Sequence, residues 1–133
     1  MDKVFLEALW LWVATDPYSS YPCETIKNRL IPAFHFNKVR PYYAEDGSIC
    51  AIATWGFMTR EEYDTRVYLG WDVFSRLDGD LLVVVDMIAP DGKNDVLMVT
   101  RDLRQHFWAL YPQHERVYAH RGPRNGVFPN KGG

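Results

Sequence analysis

Residues 81–89, LLVVVDMIA, constrain the fold more than any other stretch of the chain. A nearly unbroken, valine-rich run of this length is a β-strand covered on both faces, so other elements must pack on each side of it. Residues 49–57, ICAIATWGF, make the same demand: Ile49/Ala51/Ala53/Trp55/Phe57 and Cys50/Ile52/Thr54/Gly56 would alternate, and neither set reads as a solvent face. In a chain of 133 residues, helices on both faces of one sheet supply the two covers.

The helices are legible around these strands. Residues 2–14 predict a helix whose apolar surface is wider than one stripe, as suits burial against a sheet, and Asp16-Pro17 ends it. Pro22 opens a second helix through Leu30, with a break or kink expected near Ile31 because Pro32 lies inside it. Asp46-Gly47 marks the turn of a hairpin, and Pro41 puts its first strand at an edge. Thr59 and Glu62 read as the capping box of a helix running to about Leu69 and stopped by Gly70. Residues 72–77 make another helical turn. Asn94 or Asp95 caps a long helix to about Tyr111, with Val96, Val99, Leu103, Phe107 and Leu110 as its buried stripe. Arg116–His120 is the last strand, and residues 122–133 read as coil. The order is α-α-β-β-α-β-α-β: an α/β (α+β) fold, with one domain over residues 1–121 and a C-terminal coil tail over 122–133.

Charge and cysteine usage narrow the function classes. The net charge is −2 with no broad basic face, which argues against nucleic acid as a partner. The late basic cluster Arg116, His120, Arg121, Arg124 and Lys131 reads as a solvated tail. Cys23 and Cys50 have no metal-ligand spacing and read as small buried hydrophobes. The apolar N-terminal run is interrupted by Asp2, Lys3 and Glu7, is too short to span a bilayer, and is followed by no small-residue cleavage site, so the chain reads as cytoplasmic.

Asp86 is the most informative side chain. A carboxylate inside a valine and leucine strand must be solvated, paired with backbone amides or an arginine, or functional, because burying it alone is costly. It stands just before the strand ends at Ala89-Pro90, where sites in α/β sheets tend to form. The strand–loop–helix that follows has a shape seen in acyl-group transferases, where a helix N-terminus receives a phosphate. Gly92 permits close backbone approach and Lys93 adds charge, while Asp91 and Asp95 oppose an anion. None of His35, His106, His114 and His120 lies in a motif with a nucleophile, and each reads as structural or solvated.

Four stretches resemble the toxin-activating lysine acyltransferases, the enzymes that acylate RTX toxins. They are LWLW (9–12) followed by Pro17, GSICAIATWGFMTREEYDTRVYL (47–69), WDVFSRLDGD (71–80) and VVVDMIAPDG (83–92), the last being the most specific. The resemblance implies a fold like that of the GNAT acetyltransferases, with a mixed, mostly antiparallel sheet. It implies acyl transfer from acyl carrier protein or coenzyme A to a lysine of a protein partner, no permanently bound cofactor, and a homo-oligomer. Asp86 matches the family's catalytic aspartate. The family's histidine in the turn after the first helix has no counterpart: Pro17-Tyr18-Ser19-Ser20-Tyr21-Pro22 places Ser19 or Ser20 there. Serine is no base at neutral pH without another base beside it. The candidate catalytic residues are thus Asp86, Ser19 and Ser20, with Gly92, Lys93 and Asn94 as the candidate pantetheine-phosphate site.

Two functions follow. An enzyme expects an open groove beside Trp55 and Asp86. A catalytically degenerate homologue that serves as an assembly component, for example of a phage particle, expects a groove filled by side chains and a tail held at a protein contact. In that case Tyr18, Tyr21, Tyr42, Tyr43, Trp71 and Trp108 would make interfaces.

Overall fold

The computed structural model describes residues 2–66, 70–121 and 124–131. The chain opens with α1 (Asp2–Ala14) and a 3-10 turn (Tyr18–Ser20). It continues through α2 (Cys23–Thr25), a π-turn (Ile26–Leu30) and α3 (Ile31–His35), then β1 (Val39–Tyr43) and β2 (Ile49–Met58). After α4 (Arg60–Thr65) and α5 (Gly70–Ser75) come β3 (Leu81–Ile88), α6 (Lys93–Leu110), β4 (Arg116–Arg121) and β5 (Arg124–Pro129). The five strands form one sheet in the order β1-β2-β3-β4-β5, antiparallel except for the parallel pair β3–β4. This is a mixed α+β fold of the GNAT-like kind, with β1 and its Pro41 at an edge.

Both faces of the sheet are covered. On one, Val99, Leu103 and Phe107 of α6 pack on Ala51, Ala53, Trp55, Phe57, Leu82 and Val84. On the other, α1 and the helical turns lie over Ile52 and Ile88, and α3, α4 and α5 over Met58, Leu81 and Val83. The capping box forms: the Glu62 N–H donates to Thr59 Oγ1 at 3.1 Å and the Thr59 N–H to Glu62 Oε1 at 2.7 Å.

The irregularity expected near Ile31 is present: a π-turn ends at Leu30 and α3 begins at Ile31, with Pro32 in its first turn. Several details differ from the expectations. Helix α4 stops at Thr65, where Arg66 adopts a left-handed conformation (φ 57°); the expected end at Leu69 lies outside the described residues. Gly70 opens α5 instead of closing α4, and a side chain there would meet the Asn28 carbonyl oxygen at 1.4 Å. Neither Asn94 nor Asp95 caps α6: Gly92 is its N-cap, at φ 94° and without a side-chain cap bond. Leu110 is exposed and so leaves the α6 stripe. On α1 only the Ala8/Leu11/Trp12 side is buried, and Leu6, Trp10 and Val13 face outward. Cys23 is exposed and Cys50 half-buried.

Part of the segment expected as coil is strand β5, which pairs with β4 from Arg116↔Pro129 to Arg121↔Arg124. Phe128 packs against the α6-side core, and this gives the segment an anchor that its composition hides. Among the described residues, no helix is long and apolar enough to cross a membrane.

Candidate functional site

The site begins with an irregularity in β3. Moving along β2, the register runs Ile52↔Ile88, Ala53↔Met87, Thr54↔Asp86 and then Trp55↔Val84, so Val85 is an extra residue. Strict alternation would put Asp86 on the face of Leu82 and Val84, under α6. The bulge turns it to the opposite face, beside Thr54 and in line with Ile52 and Ile88. The Asp86 N–H donates to Thr54 Oγ1 at 3.1 Å, inside the sheet. The parallel pairing of β3 with β4 ends at the same level: it covers Leu82↔Val117, Val83↔Tyr118 and Val84↔Ala119. Beyond Val84 the two strands fork.

Two cavities meet in the fork. A polar cleft of about 800 Å³ runs from the turn after α1, past Asp16, Tyr18, Arg29 and Asp86, to Arg66 and His120. An apolar slot of about 360 Å³ lies between the forked strands, against Val84, Val96, Ala119, Val127 and Phe128. Tyr18, Val85, Met87, Val96 and His120 line both, and so mark the junction.

Asp86 is paired. Its side chain is fully buried, with Arg29 Nε 3.1 Å from Oδ2 and Arg29 Nη2 in contact with Oδ1. The Arg29 guanidinium also lies 5.9 Å from the Trp12 ring centre and 5.6 Å from that of Tyr21. The pairing removes most of the cost of burying either charge. It also fixes the carboxylate as a charged, oriented wall of the cleft. Tyr18 packs edge-on to Trp12 at 4.7 Å, and its hydroxyl donates to the Met87 carbonyl at 3.5 Å. Burial, reinforced by the negative charge of Asp86, pushes the Tyr18 phenol far above its ordinary value, so it remains a donor.

His120 forms the opposite wall. Its ring stacks on Tyr63 (4.2 Å between centres, 13° between planes), and Nε2 lies 2.8 Å from the Tyr63 carbonyl. The Tyr63 hydroxyl donates to the carbonyl of Ala119, the last β4 residue paired with β3, at 2.9 Å. One side chain of α4 therefore braces the fork. Burial pushes the His120 imidazole below its ordinary value; the Tyr63 carbonyl acts the other way and Arg66 lowers it further. The expectation of a solvated basic tail does not hold for His120, which is half-buried.

The expected site residues divide. Asp86 stands in the cleft. Ser19 and Ser20 are exposed and bonded within their own turn, Ser19 Oγ to Asp16 and Ser20 Oγ to the Pro17 carbonyl at 2.7 Å, and neither lines the cleft. Pro90 lines the cleft but Gly92 and Asn94 do not, and the Gly92 N–H already donates to the Ala89 carbonyl at 3.2 Å. The Lys93 side chain lies outside the described residues. Trp55, expected beside the groove, is buried under α6 on the far side of the sheet. Among the described residues, no three His, Cys, Asp or Glu side chains gather to hold a metal ion. Nothing in the sequence marks Arg29; Tyr18 reads there as an interface aromatic and His120 as a structural or solvated histidine.

The sequence profile of the RTX toxin acyltransferase family matches residues 1–125. The chain belongs to this family. No individually curated protein matches it.

Proposed function

We propose that the chain transfers an acyl group from a thioester donor, acyl carrier protein or coenzyme A, to the ε-amino group of a lysine on a protein partner. One observation carries this reading: the apolar slot and the polar cleft meet at the β3–β4 fork, with a paired, buried carboxylate beside the junction. The acyl chain enters the slot against Val84, Val96 and Val127. The thioester carbonyl lies at the junction, between Tyr18 and His120. The lysine arrives through the cleft, past the Asp86–Arg29 pair that forms part of its wall. The phosphate of the donor's pantetheine arm reaches beyond the cleft toward the first turn of α6, where the helix N-terminus favours an anion.

The reading as an assembly component has less support. It expects a groove filled by side chains and a tail held by a neighbour, whereas the cleft is open and β5 is held by β4 of the same chain. The test is incubation of the purified protein with octanoyl-acyl carrier protein and Nα-acetyl-lysine amide. Octanoyl-lysine is the expected product by mass spectrometry. Neither product nor donor discharge, over acyl chains from acetyl to palmitoyl, would rule acyl transfer out.

A further inference from the structure

We propose that His120 is the proton acceptor of this cleft, so that the base stands at the end of β4, across the fork from Asp86. The assignment rests on the acyl-transfer reading, and the argument begins with position. Among the described residues, only Tyr18 and His120 combine a titratable side chain with a place at the junction of slot and cleft. A carbonyl held at that junction is within the surroundings of both. The other imidazoles are elsewhere: His35 lies against Phe36 and Trp71, His106 beside Arg40 under Trp55, and His114 on Asp78.

The ring is also held in a useful tautomer. The Tyr63 carbonyl can only accept a hydrogen bond, so His120 Nε2 carries the proton and Nδ1 is the basic nitrogen. The stacked Tyr63 ring fixes the plane. Burial keeps the imidazole neutral at neutral pH, which is the state a base needs. Among the described residues, Tyr63, Asp64 and Arg66 of the α4 region act on the ring, and Tyr18, Arg29 and Asp86 line the same cleft. Tyr18 is the opposite case: its phenol stays protonated and donates. Asp86 has both carboxylate oxygens engaged by Arg29.

The step balances as follows. The lysine ammonium first gives one proton to water. The neutral amine attacks the thioester carbonyl carbon, and as the N–C bond forms one N–H proton passes to Nδ1 of His120. The C–S bond breaks, and the leaving thiolate takes that proton from the imidazolium. The products are the amide, the free thiol and neutral His120.

The test compares wild type, His120→Gln and His120→Ala with octanoyl-acyl carrier protein and Nα-acetyl-lysine amide. Glutamine retains a donor for the Tyr63 carbonyl but has no basic nitrogen. The expected result is a fall of about 10²–10⁴-fold in kcat for His120→Gln with little change in the donor KM. The acid limb of the wild-type pH profile, in which the rate rises as the imidazole loses its proton, should vanish in that variant. Added imidazole should partly restore His120→Ala. Equal rates and the same acid limb in wild type and His120→Gln would overturn the assignment while leaving acyl transfer standing. So would a loss in both variants, with an intact circular dichroism spectrum, that imidazole does not relieve. Absence of product from the wild type as well would overturn acyl transfer itself, and this assignment with it.

Discussion

The two halves of β3 are built from similar residues and do different things. Leu81–Val84 is paired with β2 on one side, and from Leu82 onward with β4 on the other, and is buried throughout. Asp86–Ile88 keeps β2 but has parted from β4, and it carries the one charged residue of the strand. One extra residue, Val85, separates the halves. The upstream half holds the sheet together. The downstream half gives up half its ladder, and the space that opens is the site. A bulge of this kind re-aims a side chain without changing the composition of the strand.

The comparison breaks most visibly at Asp86. Asp86→Ala should cost ~3–5 kcal/mol in urea unfolding, because it removes one side of a largely buried ion pair with Arg29, and should abolish acyl transfer in the folded protein. Leu82→Ala, in the upstream half, should cost ~2–5 kcal/mol by the same measurement, since Leu82 is fully buried. It should leave transfer per folded molecule unchanged. Equal loss of transfer in both variants would erase the distinction. Thr54→Val is milder: it keeps the shape but strands the Asp86 N–H, for about 1–3 kcal/mol, and should lower transfer by loosening the bulge.

The smallest expected effect is in pH dependence. Burial is the main cause that places the imidazoles of His106 and His120 below the ordinary value of 6.5. The unfolded chain then takes up these protons before the folded one. Stability is therefore full above pH 6.5 and declines as pH falls toward the folded values. His106→Gln and His120→Gln should each flatten that acid-side decline in thermal unfolding. Only His120→Gln should also change transfer, because His106 is on α6 against Trp55, on the face away from the cleft.

The sequence made the helices and strands readable because they follow periodicity and end signals. The Thr59–Glu62 box, the Asp46-Gly47 turn, the α6 stripe and the buried runs of β2 and β3 each have a local cause. Asp86 stood out because a carboxylate in such a strand needs a partner. The rest depends on contacts between distant segments. The bulge at Val85 has no residue signature, so the face of Asp86, the fork and the burial of Trp55 on the opposite side could not be read. Arg29 reaches Asp86 across 57 positions, and His120 meets Tyr63 across another 57. Strand β5 was hidden because Gly, Pro and Asn in its neighbourhood read as coil until β4 supplies a ladder.

The most direct test of the fork as the acyl site is a titration of methyl-labelled protein with octanoyl-pantetheine, followed by carbon-detected or proton-detected NMR. The account predicts saturable shifts at Val84, Val85, Val96 and Val127, with the methyls of Leu103 and Ile52 unmoved. Shifts confined to the exposed stripe of Leu6 and Val13, or none at any valine of the slot, would contradict it.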